Sequence, residues 1–285
     1  MSVIKTKTIE IKKGKNFTAN IEIFNSTLEL VKTCKTRTIT NSSFDNMKEK
    51  SLDTDFHGVK NYEEALTLMY DGWSKEVEPL KATMKSCVQS QTQKRVSFRN
   101  DIQGFAPIVP LAIMGIPNSM INSACKSIKT KVISIYYDMG VSWSVSPRKI
   151  LENGKRMVEA IVNLENSGYR VELNVVNGFC DCDNGDVIVT NVKSANQPLD
   201  LKRICFPSMH SAFFRVVCFD WYSKFPIGKY RSGLGYPIHR TFDREDLTKT
   251  MKKLFGDNSV YVSGGIIDGK DTDYIIKMLK GEERR

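Results

Sequence analysis

The sequence has no long apolar run. None of its apolar stretches reaches the roughly 18 residues that a membrane-spanning helix needs. The lysine-rich residues 1–15 also lack the apolar segment of a signal peptide. The seven cysteines are odd in number and scattered, which does not suit a disulfide framework. We therefore expect a cytoplasmic protein that does not enter a membrane.

Patterns of catalytic residues are scarce as well. Cys205 and His210 lie five residues apart with Asp200 upstream, but apolar neighbours place Cys205 in the core. Two cysteines and three aspartates crowd into residues 180–186, yet no calcium-loop glutamate and no second pair of zinc ligands follows at the required spacing. We therefore predict a buried Cys205 and a polar hairpin turn at 180–186.

Length and composition suit a globular protein with a full core, either one large domain or a main domain with an appendage. The 285 residues are 41% apolar and 26% charged, close to the usual averages. The net charge is +10, and residues 81–131 hold eight basic residues against one acidic residue, Asp101. Such a segment favours nucleic acid or an acidic protein as partner, or it forms only a solvated lysine-rich surface.

Helix caps organise the N-terminal region. A short strand precedes a helix that Ser26 caps, with Glu29 at the capping-box spacing. Asn61 and Glu64 repeat this pattern at the start of a helix that ends at Gly72. Another helix follows, so the sequence predicts a helical hairpin.

The stretch 102–122 is apolar but broken by three prolines and two glycines. It can form neither one helix nor a central strand. We expect extended segments and short turns that pack on the core. Residues 1–125 are therefore assigned to an N-terminal helical hairpin and extended region.

From residue 130 onward the pattern becomes regular. Ser146 and Pro147 begin a long amphipathic helix, and Asn184-Gly185 is a two-residue hairpin signal. The predicted strands are 131–137, 169–177, 186–192 and 259–263, and the predicted helices include 147–167, 243–255 and 271–280, with a partly helical stretch at 198–222 that breaks at Phe206-Pro207. This order predicts an α/β, Rossmann-like domain over residues 126–285, with a mostly parallel sheet and an antiparallel edge hairpin.

The turn that begins at Asp138 is the strongest candidate site. It follows the buried strand 131–137, and Ser142 lies four residues on. Open α/β sheets bind ligands at the carboxyl ends of their strands. Carboxylate and hydroxyl oxygens are the donors that Mg²⁺ prefers.

The order of elements, with an acidic turn after the first strand, resembles the von Willebrand factor A (vWA) fold over residues 130–280. That family's metal-ion-dependent adhesion site begins with Asp-x-Ser-x-Ser. Asp138 matches the Asp and Ser142 the second Ser, whereas Gly140 replaces the first Ser. The resemblance implies a Mg²⁺ site in which Asp200 or Thr190 supplies a further ligand, with Asp243 as a more distant candidate.

The whole chain is also similar to a family of uncharacterised bacteriophage proteins. The strings that carry the resemblance are Phe56-His57-Gly58, Tyr62-Glu63-Glu64-Ala65-Leu66, Gly72-Trp73, Gly104-Phe105-Ala106-Pro107, Gly115-Ile116-Pro117-Asn118-Ser119-Met120, Leu164-Glu165 and Gly168-Tyr169-Arg170-Val171-Glu172. The resemblance implies a phage or prophage origin and a vWA-like C-terminal part, and it brings no settled activity.

A basic strip interleaves cations with one aromatic ring. Its residues are Lys94, Arg95, Phe98 and Arg99. Single-stranded nucleic acid binds such surfaces when bases stack on rings and cations follow the phosphates. A basic strand edge that resists aggregation would carry the same residues.

Three functions stay open on these grounds. The first is a non-enzymatic phage-type adaptor with a vWA-like domain, which binds another protein through the turn at Asp138 and Ser142. The second is a nucleic-acid-binding protein that uses residues 81–131. The third and least favoured is a metal-dependent hydrolase, because paired carboxylates and a well-placed histidine are absent.

Overall fold

The fold is that of a computed structural model. It describes residues 2–12, 15–38, 51–85, 97–124, 132–142, 144–181, 183–226, 236–238, 242, 244–256 and 259–264. The predicted helix 271–280 and the residues Lys94, Arg95 and Asp243 lie outside these ranges. Within them, no helix is long and apolar enough to cross a membrane.

The described residues form strands and helices that follow one another in groups. The strands are β1 (Val3–Lys12), β2 (Lys15–Phe24), β3 (Ser97–Asp101), β4 (Ala106–Pro107), β5 (Met120–Ala124), β6 (Val132–Asp138), β7 (Arg170–Cys180), β8 (Asn184–Lys193), β9 (Tyr236–Pro237) and β10 (Ser259–Val262). The helices are α1 (Thr27–Thr36), α2 (Thr54–His57), α3 (Tyr62–Asp71), α4 (Val77–Lys85), α5 (Val109–Ile113), α6 (Pro147–Asn166), α7 (Leu201–Met209), a π-helix (Phe213–Cys218), α8 (Phe219–Ser223) and α9 (Arg244–Phe255).

The main sheet is mixed, with the strand order β1-β2-β8-β7-β6-β10. The pairs β2/β8, β7/β6 and β6/β10 are parallel, whereas β1/β2 and β8/β7 are antiparallel. Strand β9 pairs antiparallel with β7 just beyond the end of β6. The predicted mixture of α and β is confirmed, and the predicted parallel strands β6, β7 and β10 are neighbours.

The hairpin β7/β8 is interior, so its prediction as a sheet edge is wrong. Strand β8 is buried through Val187, Ile188 and Val189, and β2 covers its other side in parallel register. The turn lies within the predicted 180–186 but before the Asn184-Gly185 pair: the Asp181 N–H donates to the Asn184 carbonyl at 2.7 Å, and Gly185 already pairs with Cys180 in the ladder.

The N-terminal region is part of the main sheet and core. Strand β2 buries Phe17, Ala19 and Ile21, and α1 and α3 pack in the same apolar cluster as α6 and α7. The caps are as predicted: the Ser26 side chain accepts from Glu29 N–H, and the Asn61 side chain from Glu64 N–H. The expected appendage is therefore joined to the sheet. Strand β8 covers a backbone edge of β2 that would otherwise be unpaired.

Two apolar clusters lie on the two faces of the sheet. The larger one packs the helical layer of α1, α3, α6, α7, the π-helix and α8, and the smaller one packs α9. Helix α6 begins as predicted, with Pro147 in its first turn and the Ser146 hydroxyl accepting from Lys149 N–H. Helix α7 continues to Met209 with Pro207 inside it, so the predicted break at Phe206-Pro207 is wrong.

A small antiparallel sheet in the order β3-β5-β4 precedes β6. Neither apolar cluster includes a described residue between Leu80 and Ile133. The prediction that 102–122 packs on the core is therefore wrong for its large side chains. Its prolines and glycines limit it to short strands and one five-residue helix, which present too little continuous surface to bury.

Candidate functional site

Asp138 ends β6 and points inward. Its side chain is 0% exposed. Oδ1 accepts the Gly140 N–H at 2.8 Å, and Oδ2 accepts the Tyr261 hydroxyl of β10 at 2.7 Å. Both carboxylate oxygens therefore stabilise the turn and tie β6 to β10.

Glycines allow the chain to fold tightly over this carboxylate. A Cβ at Gly140 would lie 2.9 Å from Asp138 Oδ1, and one at Gly264 would lie 2.8 Å from the Asp138 and Gly140 carbonyl oxygens. A serine at position 140 would have to displace one of these groups. The packing thus favours glycine over serine at position 140.

The other predicted metal ligands have local roles. Ser142 is partly exposed, and its hydroxyl accepts from the Ser144 hydroxyl at 3.3 Å. Asp200 caps α7 by accepting the Lys202 N–H at 3.0 Å, and Thr190 is fully buried. In the described part of the chain, no three His, Cys, Asp or Glu residues are grouped to hold a metal ion. The set Asp138, Ser142 and Asp200 stays a prediction.

The prediction that Cys205 belongs to the core is confirmed. It is 0% exposed, and burial raises its pKa to about 12, so the thiol is protonated at neutral pH. His210 ends α7, and burial lowers its pKa to about 4. Its Nδ1 accepts the Ala212 N–H at 3.1 Å rather than activating a nucleophile. Cys180 is also buried, and burial raises its pKa.

The small sheet and the segments that connect its strands carry the largest concentration of exposed apolar side chains that the described residues show. Seven large side chains between residues 98 and 116 are 41–80% exposed, and we call them the apolar set: Phe98, Ile102, Phe105, Val109, Ile113, Met114 and Ile116. The rings of Phe98 and Phe105 lie with their centroids 6.1 Å apart. Val109 and Ile113 are one helical turn apart on α5. Clustered exposed apolar residues mark interaction surfaces, whereas single ones are ordinary.

Of the predicted nucleic-acid-binding residues, the structure describes Phe98 and Arg99. Both lie on β3 and are exposed. The Arg99 guanidinium forms an ion pair with Asp101 at 2.8 Å. Hydrogen bonds from Ile102 N–H and Asn122 lower the Asp101 pKa, so this carboxylate is charged near the cation. The pair reduces the positive charge that β3 presents.

Apart from Phe98, sequence analysis missed the apolar set because an apolar run normally indicates the core. The signal that could have found it is the spacing of prolines and glycines in 102–122. This spacing leaves no segment long enough to form a helix or strand that is buried on both of its faces. Basic residues also precede and follow the run. An apolar stretch that lies between two cationic flanks and cannot form a regular core element is typical of a binding surface.

Comparison with known proteins places the chain in one family. No curated protein and no solved structure gave a match. The family described as "Domain of unknown function (DUF7192)" matches residues 7–283, which include both sheets and the helical layer. The chain therefore belongs to the DUF7192 family.

Proposed function

We propose that the protein is a non-enzymatic binding protein that recognises another protein through the apolar set of the small sheet. The single observation that carries this proposal is the exposure of these seven side chains within 19 residues of sequence. Leaving them in water costs roughly 25 cal/mol for each Å² of apolar surface, and a partner that covers them recovers this energy. Phe98 and Phe105 supply the aromatic anchors that dominate many interfaces.

Charge indicates the chemistry of the partner. The segment 81–131 has a net charge of +7, and most of its cations flank the apolar set in sequence. A protein surface with an apolar centre and an acidic rim complements this arrangement. Opposite charges at the rim accelerate association and select among partners more than they add affinity.

The proposed binding surface is the small sheet, whereas the sequence predicted the turn at Asp138. Asp138 is buried and hydrogen-bonded, whereas Phe105 and Ile113 are 67% and 80% exposed. A partner can reach the latter without opening the core. Ser142 remains near the surface, but it has no charged neighbour on the turn that a partner could bind directly.

The test compares two variants of the full chain. Phe105→Asp with Ile113→Asp places two charges in the apolar set, and Leu28→Asp places one on an exposed apolar residue of α1 as the matched control. Proteins recovered with the wild type are purified, and their affinities are measured by calorimetry. We expect an acidic partner whose affinity falls at least 30-fold for the double variant and stays unchanged for the control.

Other occupants of the surface would overturn this assignment. Binding to phosphatidylserine vesicles that depends on the apolar set would indicate a membrane surface, and a concentration-dependent dimer in light scattering would indicate a second copy of the chain. The proposal is refuted if every recovered protein binds the double variant as tightly as it binds the wild type.

A second candidate function is binding of single-stranded nucleic acid by the same face. The observation that favours it is the exposed ring pair Phe98 and Phe105 beside Arg99. Stacking of a base on such a ring contributes about 1–3 kcal/mol. Fluorescence anisotropy with labelled single-stranded DNA and RNA should then show binding that weakens with salt and is lost when Lys94, Arg95 and Arg99 are replaced by alanine.

The vWA-like relationship, the bacteriophage origin, the cytoplasmic location and the Mg²⁺ site also stay proposals. The order β6-α6-β7-β8, with Asp138 at the carboxyl end of a strand between two parallel neighbours, supports a vWA-like, Rossmann-like relationship. A bacteriophage origin and a cytoplasmic location rest on the sequence strings and the composition. Mg²⁺ binding is tested by calorimetry with Asp138→Asn, and identical heats for wild type and variant would remove Mg²⁺ from the proposal.

A further inference from the structure

A cavity of about 350 Å³ lies between β1 and the end of α9. Its apolar lining, which includes Ile21, Val189 and Leu254, belongs to the smaller cluster, on the sheet face that α9 covers. The cavity is close to the lower limit of 300–1,000 Å³ that small-molecule sites span. It is separate from the small sheet that carries the proposed function.

The floor of the cavity is a polar network on the three neighbouring strands β6, β7 and β8. Glu172 on β7 accepts from Ser134 Oγ at 2.7 Å and from Asn191 Nδ2 at 3.3 Å. The same Asn191 Nδ2 donates to Asn174 Oδ1 at 3.0 Å, and Asn191 Oδ1 accepts from Ser194 Oγ at 3.0 Å. Each contact fixes the orientation of the next side chain, so the floor is preorganised.

Asn174 is left with an unused donor. Its side chain is 5% exposed, and its Nδ2 has no hydrogen-bond partner. The amide cannot simply be turned over, because its Oδ1 accepts from Asn191 Nδ2. An unsatisfied buried donor costs stability, and a ligand with an acceptor atom above Asn174 would remove that cost.

Two lysines form one wall of the cavity. Lys5 and Lys7 on β1 pair with Ile21 and Ala19 of β2, and both lysines line the cavity. Lys7 Nζ donates to the Leu254 carbonyl at 2.6 Å, near the end of α9. Inward lysines can also protect an edge strand from aggregation. The two cations line the same cavity as the unpaired Asn174 donor, and this combination points to an anionic ligand.

An aromatic wall completes the site. The Tyr136 and Phe255 rings stack with centroids 4.4 Å apart and planes 12° apart, and both residues line the cavity. Together with Val189 and Leu254 they give the cavity an apolar lining against which a ring of a ligand can pack.

We infer that this cavity binds a small organic anion with a flat ring, whose acceptor atom meets Asn174 Nδ2 and whose charged group meets Lys5 and Lys7. A nucleoside monophosphate and an aromatic carboxylate both have this chemistry. The ligand then lies on the face of the sheet near the start of β7, and not at the carboxyl ends of the parallel strands.

The experiment uses the full wild-type chain and three probes. Adenosine 5′-monophosphate tests a phosphate, indole-3-acetate tests a carboxylate, and adenosine is the uncharged control. Nuclear magnetic resonance follows the side-chain amide of Asn174, and calorimetry measures affinity. We expect one anion to shift this amide and to bind saturably at about millimolar concentration or below, and adenosine to bind at least several-fold more weakly.

Matched variants then test the residues. Asn174→Leu should weaken binding about tenfold without loss of folding. It removes the unpaired donor and also the Oδ1 that accepts from Asn191 Nδ2, but this Nδ2 keeps its hydrogen bond to Glu172. Lys5→Ala should weaken it and reduce its salt dependence, whereas Lys32→Ala, an exposed lysine of α1, should bind like the wild type. Binding of adenosine 5′-monophosphate would identify the anionic group of the ligand as a phosphate, and binding of indole-3-acetate would identify it as a carboxylate. The inference is overturned if neither anion shifts the Asn174 amide, or if Asn174→Leu or Lys5→Ala binds as the wild type does.

Discussion

His210 should make the fold less stable in mild acid. It ends α7 with only 9% of its surface exposed. Its ring lies edge-on to Trp73 at 4.6 Å between centroids and packs against Phe206. Its Nδ1 accepts the Ala212 N–H. Protonation of Nδ1 would replace this hydrogen bond with a repulsive contact and place a charge among aromatic rings.

The size and sign of the effect follow from the two pKa values. Burial lowers the His210 pKa from 6.5 to about 4; nearby Glu64 raises it and nearby Lys75 lowers it, each by less than burial does. Between these values the unfolded chain binds a proton that the folded chain does not, so stability rises with pH. The gap corresponds to a loss of about 3 kcal/mol as pH falls from 6.5 to 4, and the loss stops below the folded pKa.

The assay is urea unfolding of the wild type and of His210→Asn at several values between pH 7 and pH 4. Asparagine Oδ1 can accept the Ala212 N–H in place of Nδ1, but it does not titrate. We expect the variant to be less stable at pH 7 because it loses the ring packing, and to lose much less stability on acidification. His57, whose pKa burial also lowers, and Glu22 titrate in both proteins, so their contributions cancel in the difference.

Parallel curves for the two proteins would refute the reasoning. They would mean that His210 is protonated in the folded state at the same pH as in the unfolded chain. The ring would then have to be accessible to water, contrary to its packing against Trp73 and Phe206.

Three further substitutions test the packing of the main sheet and its helices. Gly154→Ala should lower the melting temperature and cost about 2 kcal/mol despite its better helix propensity, because the new Cβ would lie 2.4 Å from the Ser208 carbonyl oxygen; an increase in melting temperature would contradict this contact. Tyr261→Phe should cost about 2 kcal/mol in urea unfolding, since it removes a donor from the buried Asp138 carboxylate; no change would show that the hydrogen bond does not matter. Arg215→Met should cost about 3 kcal/mol in the same assay because two backbone carbonyls lose the buried guanidinium, and a neutral result would exclude its structural role.

The parts of the fold that local chemistry determines could be predicted. Helix α6 begins at Pro147 and ends within a residue of its predicted end, because a cap, a first-turn proline and an apolar stripe all lie within 20 residues. Strand β6 was predicted from its continuous apolar run. Local signals of this kind do not depend on what the segment later packs against.

The parts that depend on distant partners could not be predicted. Strand β1 carries five polar or charged residues among its first eight, and only its pairing with β2 makes it a strand. Strand β2 in turn pairs with β8, which lies about 165 residues further along the chain. The hairpin β7/β8 was therefore placed at an edge, and the cavity beside β1 could not be foreseen.

The candidate sites differ from the expected one because the carboxyl end of the central strands is covered. Strand β9 pairs with Phe179 and Cys180 just where β6 ends, in the position that an open α/β sheet leaves vacant for a ligand. The following Ile238 packs so closely on Gly178 that a Cβ there would lie 2.5 Å from its Cδ1. With this end filled, the polar side chains that line a cavity are those near the start of β7, where Asn174 has an unpaired donor. A ligand site on this sheet therefore belongs on its face beside β1, while Asp138 holds the covered end together.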